Sequence, residues 1–190
     1  MIRDLILKTR SYRRFHQEEP IDRQTLRELV ELATLSASGG NLQPLKYVLS
    51  CDPQTNARIF PHLAWAGYLT DWPGPAEGRR PAAYVVILHD KGIAQQVGCD
   101  HGIAAQSILL GAAEKGLGGC MIGSIQRKAL RERLGIPEKY EILLVIALGK
   151  PAETVVLETV GPEGGIEYYR DSDDIHHVPK RPLDEVIIGQ

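Results

Sequence analysis

The chain has 190 residues, 43% of them hydrophobic and 24% charged, which suits one globular domain, or a domain with an appended arm, around a core of normal size. Its formal net charge of -2 provides no overall field to draw it to nucleic acid or an anionic membrane, so any phosphate site has to be a local basic cluster. Cys51, Cys99 and Cys120 stand far apart without a CxxC pair or metal-ligand spacing, which reads as reduced thiols. The first residues carry charge and lack the apolar core of a signal peptide, and the longest uncharged apolar stretch, 102–113, is too short to span a bilayer. The expectation is a soluble, cytoplasmic protein.

Ile2, Leu5 and Ile6 fall at helical spacing and predict a short amphipathic helix that ends at the basic run Arg10-Ser11-Tyr12-Arg13-Arg14. Pro20 and Asp22 mark a second helix start, with Asp22 as N-cap and Leu26, Leu29, Val30 and Ala33 on one face. Ser36-Ala37-Ser38-Gly39-Gly40-Asn41 is a loop, and Tyr47–Ser50 a short strand. Prolines 53, 61, 73, 75 and 81 make residues 53–81 irregular, with one or two helical turns. The apolar run Ala83–Leu88 is a buried strand. A long helix rich in small residues is expected over Ile93–Lys115, stopped by Gly116 and Gly118 and packed on more than one side. Ser124 is the candidate cap of a helix ending at Leu134, closed by Gly135 and Pro137, and Ile142–Leu148 is a second buried strand. Beyond Pro151 no core periodicity is visible, so the tail has to lie on something else. The class is α+β, a central, mostly antiparallel sheet flanked by helices, with 1–159 as the domain and 160–190 as a C-terminal arm of the same fold.

Three segments have the composition of a binding site. The first is Arg10 to Arg14, where three guanidiniums and a hydroxyl match the needs of a phosphate monoester, though a solvated basic turn has the same composition. In the second, Ser36–Pro44, Gly39 and Gly40 let the backbone approach a flat ligand while Ser38, Asn41 and Gln43 offer hydroxyl and amide groups; an ordinary Gly/Asn turn would look alike. Neither a P-loop nor a GxGxxG fingerprint is present. The third, Gly116–Gly123, is a glycine-punctuated apolar segment, able to donate a backbone N–H to the edge of a flat ring ligand or simply to cap a helix before a buried strand.

In this order the segments resemble the nitroreductase family of FMN enzymes. The resemblance rests on Arg10-Ser11-x-Arg13-x-Phe15, the Ser38-to-Pro44 loop, the Gly-Leu-Gly segment after a long helix, Gly149-Lys150-Pro151, and Pro179-Lys180-Arg181-Pro182-Leu183. Ala37 and Leu45 depart from it, standing where the family has a proline and an aromatic residue.

The resemblance implies a homodimer with two FMN molecules at the subunit interface and an arm that wraps the partner. Arg10, Ser11 and Arg13, with Tyr12 between them, would hold the phosphate and ribityl end, aided by Lys180 or Arg181. Ser38, Gly39, Asn41 and Gln43 would reach the flavin from the other subunit, and Met121, Ile122 and Gly123 would line the ring. Residues 62–80, with Trp65, Tyr68 and Trp72, are the expected cover.

The function implied is reduction of a small acceptor (a nitroaromatic, quinone or similar) by NADH or NADPH, in alternating half-reactions. A specialised flavin reaction such as dehalogenation, flavin destruction or a dedicated dehydrogenation, or a non-catalytic FMN-binding protein, stays open. No protein acid or base is needed, because the flavin carries the chemistry. His101, His176 and His177 read as surface or helix-terminal residues. No metal site is expected from His176 and His177, because neighbours on an extended chain face opposite sides.

Overall fold

The computed structural model describes residues 1–189. Four strands, β1 (Leu45–Ser50), β2 (Ala83–Asp90), β3 (Gly118–Ile122) and β4 (Tyr140–Gly149), form an antiparallel sheet in the order β1-β2-β4-β3. Every residue of β2 is buried, and its side chains alternate between two cores. Val85 and Ile87 meet Leu26, Leu29, Ala105 and Ile108 of the helices α2 (Arg23–Thr34) and α4 (Asp100–Glu114). Tyr84, Val86 and Leu88 face Ile59, Trp65, Leu130 and Ile136 on the side of α3 (Pro53–Ile59) and α5 (Arg127–Leu134). A strand covered on both faces has no polar side to show, which is why its sequence reads as a continuous apolar run.

Asp22 caps α2 by accepting from the Thr25 amide at 2.6 Å, as its position in the sequence predicts. The opening helix α1 (Ile2–Lys8) forms but buries none of its side chains. Two helix starts differ from expectation. α4 begins at Asp100 rather than Ile93, because Ile93 sits in a turn donating to the Asp90 carbonyl and Gly98 takes a left-handed φ of 53° that a helix cannot accommodate. α5 begins at Arg127 after Gln126; Ser124 caps nothing and instead accepts the Ala64 amide through its carbonyl. Among the described residues no helix is long and apolar enough to cross a membrane.

The tail is more ordered than its composition suggests. β5 (Val155–Thr159), β6 (Tyr169–Arg170) and β7 (His176–Lys180) form a second sheet, order β5-β7-β6, followed by a short helix α6 (Leu183–Val186). Its ties are polar and so escape a search for hydrophobic periodicity. His177 bridges the Glu158 and Asp171 carboxylates at 2.5 and 2.9 Å, and its ring stacks on Tyr169 at 4.7 Å.

The segment after α1 runs beside β3. Ser11 forms a parallel bridge with Gly119, and the Tyr12 amide donates to the Gly119 carbonyl at 3.0 Å. A Cβ on Gly118 would enter the Tyr12 ring and Pro151, and one on Gly149 would lie 2.8 Å from Phe15. These glycines are therefore present to let the N-terminal segment lie close.

Candidate active site around Arg13 and the end of β3

Arg13 is carried by the strand-like segment beside β3, which aims it into a cavity of about 210 Å³ lined also by Trp65, Met121, Ile122, Gly123, Ser124 and Tyr168. Beyond the last ladder pair of β3, the Gly123 and Ser124 amides donate to no acceptor among the described residues, and the space above Gly123 is open. Nη1 of Arg13 donates to the Ser11 carbonyl at 3.2 Å and to Nε2 of His176 at 3.1 Å, and its guanidinium carbon lies 4.7 Å from the centre of the Tyr168 ring. Nε and Nη2 have no acceptor among the described residues and remain available to an anion.

The backbone around Arg13 is held by a carboxylate. Glu153, with a side chain 1% exposed, accepts from the amides of Arg13 and Arg14, the latter at 3.0 Å, and from Arg170 Nη2 at 2.7 Å. Arg170 in turn lies over Trp72, 4.5 Å from its centre, and Arg14 pairs with Asp174. His176 is fully buried, and burial together with the cation of Arg13 depresses its pKa to about 4, so it is neutral at physiological pH. The reading of His176 as a surface residue is thus corrected: β7 turns one of two adjacent histidines inward and the other outward.

The remaining sequence candidates lie elsewhere. Arg10 folds back on α1, Nη2 donating to the Ile6 carbonyl at 2.6 Å, and desolvation lowers its pKa. Ser11 and Tyr12 meet Gly119 through their main chain, which leaves the exposed Ser11 side chain outside that contact, and the Tyr12 hydroxyl donates to the Lys8 carbonyl at 3.3 Å. None of these three lines the Arg13 cavity. Lys180 and Arg181 are exposed, and Arg181 pairs with Glu185 at 3.2 Å. Of the expected cover residues, Trp65 is buried in the core while lining the cavity, and Tyr68 meets Tyr168 edge to face at 4.8 Å.

Ser38, Gly39, Asn41 and Gln43 form a separate, outward-facing loop. Buried Asp100 at the start of α4 accepts from the Ser38 hydroxyl at 2.6 Å and the Gly39 amide at 2.9 Å, and Ser38 Oγ accepts from the Gln43 amide at 2.9 Å. Gly40, Asn41 and Gln43 all have positive φ, and the Gln43 side chain donates to the Asn41 carbonyl and amide oxygens. Backbone in this region is costly for Gln and persists only where its surroundings hold it, so the loop is a rigid presentation of polar groups. Among the described residues, this loop lines two cavities and Arg13 a different one. Glu153, Asp100, Tyr168 and His176 are not among the sequence candidates; Asp100 lies in the first turn of α4, where a carboxylate meets free amides, but the helix start expected at Ile93 hides that signal.

The family model for the nitroreductase family matches residues 6–150, and the chain belongs to that family. A protein of Archaeoglobus fulgidus bearing the provisional name NADH dehydrogenase/NAD(P)H nitroreductase is 26% identical over 156 residues, 78% of this chain and 84% of its own. The nitroreductase family protein of Streptococcus pneumoniae superposes with a TM-score of 0.73 at 17% identity, covering all of both chains. The FMN-dependent nitroreductase of Clostridium difficile gives a TM-score of 0.64 at 25% identity, covering 91% of this chain and 94% of its own.

Proposed function

We propose that this chain is an FMN-dependent oxidoreductase that reduces a small acceptor, such as a nitroaromatic or a quinone, with NADH or NADPH, donor and acceptor taking turns over one flavin face. The observation that carries the reading is one cavity holding a guanidinium with free donors and the two unclaimed amides of Gly123 and Ser124. The C. difficile relative's FMN dependence and the A. fulgidus relative's NAD(P)H nitroreductase name support it.

These residues fit FMN. Arg13 would hold the phosphate and ribityl end with a charge-assisted fork, Gly123 and Ser124 would donate to the flavin edge, and Met121 and Ile122 would form an apolar wall that excludes water. Bound FMN supplies the hydride chemistry. Arg10 and Ser11, with Tyr12 between them, would join Arg13 at the phosphate and ribityl end, and Lys180 or Arg181 would add positive charge there.

We further propose a homodimer in which the Ser38, Gly39, Asn41 and Gln43 loop of one subunit completes the cavity of the other, with the arm from 160 onward against the partner. The loop's outward, held geometry supports this, as do exposed apolar side chains at Ile2, Ile6, Leu7, Leu35, Leu42, Leu183, Val186 and Ile188.

Purified protein is expected to be yellow, to release FMN rather than FAD on denaturation, to sediment as a dimer and to bleach with NADH or NADPH under anaerobic conditions. Arg13→Ala is expected to weaken FMN binding by roughly ten- to a hundredfold, the worth of one hydrogen bond to a charged group. Full flavin occupancy after dialysis of that variant would move the phosphate elsewhere.

A further inference from the structure

A guanidinium can only donate hydrogen bonds, so the 3.1 Å contact between Arg13 Nη1 and His176 Nε2 requires Nε2 to be the acceptor. The ring proton then sits on Nδ1, which is buried and has no partner among the described residues. A buried, unpaired N–H is costly and needs a compensating role. That role is visible at the other ring nitrogen. His176 Nε2 and the Ser11 carbonyl take up Nη1, while the Tyr168 ring covers one face of the guanidinium and stands 5.3 Å from the imidazole. Three groups thus restrict the rotation of Arg13, and two of them come from the C-terminal sheet region rather than from the phosphate-binding segment.

We propose that His176 is a positioning residue, a neutral hydrogen-bond acceptor that orients Arg13 so that Nε and Nη2 remain directed to the anionic end of the bound flavin. The inference rests on the reading that Arg13 holds the FMN phosphate. It assigns β7 a part in cofactor affinity without contact to the cofactor. Protonated His176 has no lone pair at Nε2 and would place a second cation against Arg13. The charged and titratable groups around it are Arg13 and Arg14 from the N-terminal segment, Arg170 of β6 and His177 of β7, with Glu153 neutralising Arg170. Burial first, and then every cation among them, opposes protonation of His176, so the orienting bond is intact at neutral pH and is lost on acidification toward about 4.

The test measures FMN dissociation constants from pH 3.5 to 7.5 for the full-length protein and its Arg13→Ala, His176→Leu and His176→Gln variants, with thermal midpoints alongside. Leucine fills the buried site but accepts nothing; affinity for FMN is expected to fall about tenfold at pH 7. Glutamine offers an acceptor that does not titrate, so H176Q is expected to bind as the natural protein does at pH 7 and to lose less affinity on acidification. Titration of the FMN phosphate affects both proteins alike and cancels in their ratio. Equal affinity in H176L, or the same acid loss in H176Q as in the natural protein, overturns the inference. If H176L does not fold, the H176Q pH ratio decides alone. Unchanged affinity in Arg13→Ala overturns the underlying phosphate reading instead, a result the His176 variants cannot mimic.

Discussion

The two sheets of this molecule are built on different physics. In the four-stranded sheet, β2 and β4 are sealed between two apolar layers, and Val85, Ile87, Ile146 and Leu148 on one face and Val86, Val145 and Ala147 on the other are 0% exposed. In the three-stranded sheet the fully buried side chain is His176, and the cohesion comes from Glu158–His177–Asp171, Arg170–Glu153 and Arg14–Asp174. Apolar burial is indifferent to pH and short in range, whereas a web of charges responds to protons and to the loss of a single member. The first sheet is thus scaffold. The second is an adjustable wall laid against Arg13.

The comparison is tested most severely in the scaffold. Ile146→Ala should cost about 4 kcal/mol, within the usual range for emptying a close-packed core position, and urea unfolding should show one unfolding transition, shifted equally at pH 6 and pH 8. A pH-dependent shift would mean the sheets are not separable. In the wall, Glu153→Ala leaves Arg170 and two backbone amides without their acceptor, at a cost of about 3 kcal/mol. Hydrogen exchange should speed up in β6 and β7 before it does in β2. Uniform acceleration would assign Glu153 to the global core instead.

At the seam between the two, Gly118→Ala drives a Cβ into Tyr12 and Pro151 and should cost about 1–3 kcal/mol. It should also weaken FMN binding, because Tyr12 and Arg13 move together. Lost stability with intact flavin affinity would separate the seam from the site.

The smallest effect is expected from pH, acting on the two histidines in opposite senses. His177 has a raised pKa through its bonds to Asp171 and Glu158, so its contribution is full below the ordinary value of 6.5 and is lost as pH rises through the raised one. His176 is lowered to about 4, so its contribution is full above 6.5 and is lost as pH falls from there toward 4. Amide protection in β5–β7 should therefore peak near neutrality. His177→Gln should remove the alkaline limb and His176→Gln the acid one, while a flat profile in the natural protein would show that neither histidine is linked to folding of this sheet.

Several features of the fold were legible in residue order alone. The Ala83–Leu88 and Ile142–Leu148 runs became β2 and β4, Asp22 capped α2, and Gly135 closed α5 with a left-handed φ of 63°. Each depends on neighbours within a few positions, so period and caps suffice. Arg13 and the Met121–Gly123 segment were identified from composition and resemblance, and the structure places them in one cavity. The first turns of α4 and α5 were misplaced because Gly98 and Gln126 act through backbone geometry that propensity does not specify. The order within 155–180 was invisible, because an ionic sheet has no hydrophobic period.

By its sequence, the chain determined two doubly covered strands, the helices that cover them and a basic segment fit for phosphate, all local in origin. Tertiary structure alone decided which groups orient that segment. Glu153 meets Arg13 across 140 positions and His176 meets it across 163, and such pairings leave no periodic trace. It also decided the opposite fates of His176 and His177. Adjacent on one strand, they differ only in the face they turn, and burial beside Arg13 empties one of charge while two carboxylates favour the charged form of the other.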